Sequence, residues 1–338
     1  MARLRLKLFD GRPSLKEVYG SPLFGIKTGL NDAFVVTRAE RDALAHADPR
    51  STELLRPFLE GKDLKKWHAQ SRDLWLIYTP KAGIDIDDFP AIKAHLHRFR
   101  QGLEKRATQQ AWFELQQPQS AYKQLYEGPK VSWGRFQPEP LYHFDEHGIF
   151  GNDNVYCIPN AGYFEAALLN SSVMWFVTKQ ICPPVRGGFY PVRGTFAESF
   201  PIPTADAAVR ARLAESAESA QSAAQGKHTE IKRFGRRLLR DLAPGGLAGG
   251  AKLPAAWDQC LPEFADLAAE VDKRFKRAMT MAERNQWDDA IGQASAAVEG
   301  FNETLTRSEQ AINAMVNGLF ELNSAEAALI ESAKPRPR

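Results

Sequence analysis

Gly25-Ile26-Lys27-Thr28-Gly29-Leu30-Asn31-Asp32-Ala33-Phe34-Val35-Val36 opens with two glycines around a Lys-Thr pair and closes on an apolar run. Glycine supplies positive φ without steric cost, and Asn tolerates the left-handed region. Phe and Val suit a half-buried strand. The stretch therefore reads as a tight, polar, basic loop feeding a strand, and such loops present N–H groups and a cation to a phosphate or a base edge. It is not a Walker loop, which needs Gly-x-x-x-x-Gly-Lys-Ser/Thr ahead of a helix. An ordinary turn before a strand fits the same residues.

More distant stretches narrow the choice. Leu55-Arg56-Pro57-Phe58-Leu59-Glu60-Gly61-Lys62-Asp63-Leu64, Trp75-Leu76-Ile77-Tyr78 and Phe89-Pro90-Ala91-Ile92-Lys93-Ala94-His95-Leu96 follow in order. Then come Trp112-Phe113-Glu114-Leu115-Gln116, Pro129-Lys130-Val131-Ser132-Trp133, Leu168-Leu169-Asn170-Ser171, Arg186-Gly187-Gly188 and Phe200-Pro201-Ile202-Pro203. Over residues 20 to 204 this series resembles the TaqI-like C-terminal specificity domain, the target-recognition domain of type IIG restriction-modification enzymes and related adenine-specific DNA methyltransferases. The resemblance implies an α+β fold: a β-rich recognition domain with flanking helices, followed by an α-helical hairpin or bundle. It implies double-stranded DNA as partner. It also places a catalytic domain ahead of this point, so methylation, with S-adenosylmethionine and Mg²⁺, is expected of a methyltransferase or nuclease subunit or domain other than this chain.

The 338 residues are 43% hydrophobic, enough for two or three compact units, and the net charge is only +3. Residues 1–106 carry 20 Lys+Arg against 14 Asp+Glu, and the rest of the chain is slightly acidic. A basic N-terminal third fits a polyanion partner. Cys157, Cys182 and Cys260 are odd in number and far apart, with no C-x-x-C, so neither a disulfide framework nor a zinc site is indicated and a cytoplasmic location is expected. No apolar run is long enough for a membrane span.

Read in order, residues 1–20 are a lead-in, 21–204 the recognition domain, 205–250 a helical linker and 251–338 a helical hairpin. Strand, short helix (39–47) and the Leu54–Trp67 block come first. Lys62, Lys65 and Lys66 surround Trp67 there, either as phosphate contacts beside a ring or as a solvated face over a core Trp. Phe89, Ile92, Leu96, Phe99 and Leu103 predict one helix over 89–107 with a basic outer face. Residues 110–160 read as a β-rich unit, with Asp145-Glu146-His147-Gly148 as a hairpin turn. Asn152 and Asn154 follow it, and Asn is able to read adenine. An apolar helix is predicted over 164–180, then a flexible loop at Arg186-Gly187-Gly188-Phe189-Tyr190.

From Ala205 an Ala-rich helix runs to about Leu242, broken at Pro244–Gly250. Thr280 and Glu283 have capping-box spacing. The helix after them carries Trp287, Ile291, Ala294, Val298, Phe301, Leu305, Ser308, Ile312, Met315 and Leu319, a coiled-coil-like seam suited to a partner or to a second copy of the chain. Asn323 and Glu326 cap a last helix over 324–332, and the tail 334–338 is expected to be disordered.

By residue type and position within these blocks, Lys27, Lys62, Lys65, Lys66, Lys130 and Arg135 are expected to meet phosphates. Thr28, Asn31, Arg186, Tyr190 and Arg193 are expected to read base edges. No catalytic or metal-binding residues are assigned. The single Pro-Pro, at Cys182-Pro183-Pro184-Val185, lacks both the amide and the ring with which an adenine methyltransferase holds its base. A nuclease built on Asp48, Glu60 and Lys62, and a helical interaction scaffold, are the alternatives.

Overall fold

The computed structural model describes residues 2–332; the tail 334–338 lies outside the described residues. The chain forms two compact units, residues 1–217 with 311–338, and residues 218–310. The fold is mixed α and β, with small sheets and a long C-terminal helical region.

Among its described residues the first unit carries ten short strands: β1 (Leu23–Phe24), β2 (Val35–Thr37), β3 (Leu55–Leu59), β4 (Leu74–Ile77), β5 (Lys130–Gly134), β6 (Phe136–Gln137), β7 (Tyr142–Asp145), β8 (Phe150–Gly151), β9 (Val155–Pro159) and β10 (Tyr190–Pro191). One sheet has the order β2-β4-β3-β8, a second β1-β9-β5-β7, and β10 pairs with β6 in a ribbon. The opening motif joins the two sheets. Gly25 donates to Val155 O, Ile26 donates to Gly151 O, and a Cβ on Gly25 would stand 2.2 Å from Asn152 O. Only glycine permits that approach. The expected strand at Phe34–Val36 starts one residue later, because Asn31–Phe34 form a single helical turn.

Helix Arg38–Ala47 begins at a capping box in which Thr37 and Glu40 satisfy each other's backbone N–H groups. Under it lies a core of Phe34, Val36, Phe58, Leu76, Ile77, Ile92, Leu96 and Phe150, all buried. Trp67 is buried as well, which settles its ring as packing and leaves the neighbouring lysines to the surface side.

Three expectations change. The 89–107 helix is two helices, Pro90–His97 and Arg100–Glu104, because the N–H groups of Arg98 and Phe99 turn back to carbonyls three residues earlier. Its cations are engaged locally: Lys93 with Asp87, Arg100 with Glu104, Arg98 with His95, and Arg106 with the carbonyls of Thr28, Trp112 and Glu114. The 164–180 helix is likewise two, Tyr163–Asn170 and Ser172–Ile181. Ser171 takes an extended conformation between them and its hydroxyl accepts the Met174 N–H. Finally, residues 145–148 turn the chain but do not close a hairpin: β7 pairs with β5, whereas β8 runs parallel to β3 in the other sheet.

The chain's last helix, Ser324–Ser332, is capped by Asn323 and Glu326 as expected. Lys7 of the first helix, Ala2–Phe9, pairs with Glu326 at 2.7 Å, and the Arg12 guanidinium lies over Phe320.

The second unit is helical. Parts of Ala207–Leu242 and Met281–Leu319 run antiparallel in it, marked by Ser219–Ser308 (3.3 Å) and Lys227–Asn302 (2.8 Å). Helix Phe264–Phe275 completes its core with Phe234, Leu238, Leu267, Val271, Trp287 and Ile291. The Thr280–Glu283 box starts the return helix. No helix among the described residues is long and apolar enough to cross a membrane.

Candidate nucleic-acid interface

Three backbone stretches distant in sequence meet in the first unit. Gly134 lies so close to Gly61 that a Cβ there would stand 2.6 Å from the Gly61 carbonyl oxygen. Arg135 N–H donates to Asn154 O (2.8 Å), Asn152 N–H to Leu59 O (3.1 Å), and Asn152 Oδ1 accepts from Gly61 and Asn154. The end of β3, the end of β5 and the turn after β8 thus share one floor.

Over that floor is an open cleft of about 530 Å³ whose walls include Lys62, Lys65, Arg135, Phe136, Asn154 and Phe189. Three of the six expected phosphate contacts therefore converge. Lys65 Nζ donates to Lys62 O (2.9 Å), which leaves its charge uncompensated by any carboxylate among the described contacts. The Arg135 guanidinium lies over the Phe136 ring at 5.0 Å, and its Nε has no hydrogen-bond partner.

Lys62 is different, because it pairs with Glu60 at 2.8 Å, and Arg72 clamps the same carboxylate at 2.6 Å. Partial burial works to raise the Glu60 pKa, but the hydrogen bonds from Lys62 and Arg72 outweigh it, and Glu60 sits below its usual range. The cleft keeps an excess of two positive charges.

The other expected residues divide. Lys27 and Asn31 are exposed on the opening loop. Lys66 is half-buried beside the cleft cations in sequence and is not unpartnered. Arg186 is exposed at the tip of a hairpin whose sides are Val185 and Phe189. Tyr190 is half-buried, its ring edge-on to Trp175 at 5.2 Å, and Arg193 is exposed ahead of helix Gly194–Ala197.

Two residues leave the sets proposed for them. Lys130 is inside: β5–β7 register places it opposite Asp145, its Nζ donates to Asp145 Oδ2 (2.5 Å) and Tyr126 O (2.7 Å), and only 2% of it is exposed. A phosphate has no access to it. Thr28 is 3% exposed, and its hydroxyl donates to Asn31 Oδ1 at 2.6 Å, so it presents nothing to a base.

Sequence reasoning undervalued Phe136 and Phe189, which are 46% and 36% exposed on the cleft. The signal available for them was an aromatic directly after Arg135 and another after the glycine pair.

The residues of the nuclease alternative have local partners. Asp48 Oδ1 accepts the Arg50 N–H at the start of a turn, and Glu60 is held by Lys62 and Arg72. Among the described residues no three His, Cys, Asp or Glu side chains are placed to hold a metal ion. Pro183 and Pro184 are exposed in the loop before the 185–189 hairpin, and their neighbours Cys182 and Val185 offer a base neither an amide nor a ring. The cysteines are free, with Cys157 and Cys182 buried and burial pushing each up to about 12.

A family model described as a domain of unknown function (DUF8810) matches residues 206–316, which take in the whole second unit. The type IIL restriction-modification enzyme MmeI, solved in complex with DNA, is similar to this chain with a TM-score of 0.49 and 13% identity, over 92% of this chain and 35% of that one. The chain thus spans about a third of the length of that relative.

Proposed function

We propose that the first unit is a module that recognises a target in double-stranded DNA for a restriction-modification system, with the recognition surface carried by residues 21–204. The observation that carries this reading is the cleft in which Lys62, Lys65 and Arg135 converge beside exposed rings. Cations set register on phosphates, and base edges are read by the side chains that reach past them. Lys62, Lys65, Lys66, Lys27 and Arg135 take the phosphate role. Arg186, on its hairpin tip, reads a base edge, with Asn31, Tyr190 and Arg193 as supporting readers. The series of blocks resembling TaqI-like specificity domains supports adenine methylation as the chemistry served, supplied with S-adenosylmethionine by a catalytic domain or subunit. Residues 251–338 dock that partner or a second copy.

The test is site selection from random duplexes followed by anisotropy titration. Charge reversal at Lys65 and Lys66 should weaken selected and random DNA alike. Arg186→Ala should relax preference at one base pair by roughly 1–3 kcal/mol. A protein that selects no sequence and binds no duplex at low salt overturns the proposal.

A further inference from the structure

Phe136 and Phe189 are large apolar side chains that the fold leaves open to water although a buried core lies within a few residues of each. They share one concave cleft with Lys62, Lys65 and Arg135. A groove that only tracks a duplex backbone needs cations at its rim and gains little from rings. Rings beside cations suit a base face together with its flanking phosphates, and stacking accepts any base because each has a π face. The volume, about 530 Å³, lies in the range of small-molecule pockets, and its Asn154 side chain adds a polar edge.

We infer that this cleft takes one unstacked nucleotide of the bound DNA, its base against Phe136 and Phe189 and its adjoining phosphates on Lys62, Lys65 and Arg135. The inference rests on the DNA-recognition reading above. It adds that the module opens the duplex itself, before any catalytic domain acts. Arg135 links the two halves of the site, because its guanidinium lies over the Phe136 ring on the cleft wall. Glu60 sets a limit on the charge, because it already holds Lys62.

Extruding a base costs least where pairing is already lost, so an unpaired base is the diagnostic probe. The full chain is titrated with a 30-base-pair duplex, the same duplex carrying one bulged nucleotide, and the corresponding single strand. The bulged duplex should bind about tenfold more tightly than the perfect one, within the range of one base-on-ring stack. Phe136→Ala with Phe189→Ala should remove that advantage while leaving the perfect duplex bound with unchanged salt dependence. Phe136→Leu with Phe189→Leu, which keeps apolar surface but no ring, should behave in the same way and guards against misfolding. Equal affinity for bulged and perfect duplex in the unaltered protein overturns the inference and leaves DNA recognition standing. Failure to bind any of the three overturns the recognition reading itself.

Discussion

Replacing Lys65 and Arg135 together by Gln isolates the electrostatic share of DNA binding. Both side chains face the same cleft, and neither is paired with a carboxylate among the described contacts. Each phosphate contact contributes about 0.9 to the slope of log K against log salt, so losing two should flatten the slope by about 1.8. Between 50 and 200 mM salt that corresponds to roughly a twelvefold smaller loss of affinity in the variant. Lys62 is left in place because Glu60 already engages it, and its contribution is smaller for that reason. The assay is fluorescence anisotropy with a fixed duplex over a salt series. Lys130→Met is the control: its charge is buried against Asp145, so the slope should not change even though the fold weakens. An unchanged slope in the double variant, or a flattened slope in the Lys130 variant, refutes the placement of the cations.

Asp145→Asn should cost about 3–5 kcal/mol of stability, since it leaves the Lys130 ammonium buried without its partner; urea melts showing a loss below about 1 kcal/mol would contradict this. Gly134→Ala should weaken folding by roughly 1–3 kcal/mol and lower DNA affinity, because the added methyl meets backbone at Gly61 and forces the cleft floor apart. Burial pushes His143 down to about 4 from an ordinary 6.5. The unfolded chain therefore takes up a proton that the native state refuses, so this contribution is complete above pH 6.5 and falls away as the pH drops towards 4. Between pH 7.5 and 4.5 the loss amounts to roughly 2–3 kcal/mol, and urea melts at those two pH values should show a smaller drop for His143→Gln.

Local chemistry was readable from the residues alone. Thr280–Glu283 and Asn323–Glu326 announced helix starts because a capping box is a contact between near neighbours. The long helices Ala207–Leu242 and Met281–Leu319 were equally plain from composition and periodicity, although Val316 rather than Met315 is the buried member of the seam. What escaped depends on distant pairings. Lys130 looks like any surface lysine until β5 and β7 set it opposite Asp145. The turn at 145–148 has hairpin residues, but its two strands belong to different sheets. The cleft combines both cases. Its cations were named from residue type, yet their convergence depends on Gly61 and Gly134 meeting in space, and on two rings distant in sequence that the fold leaves exposed together.

Residues 218–310 are an excursion: the chain leaves one compact unit after Ala217 and rejoins it at Ala311. Close to those two points Ser219 and Ser308 touch, so the outgoing and returning helices are side by side where the detour begins. Such an arrangement makes the detour a removable cassette. A short Gly/Ser turn joining the helices there should give a trimmed protein that still folds and still grips duplex, while losing whatever the excised arm recruits.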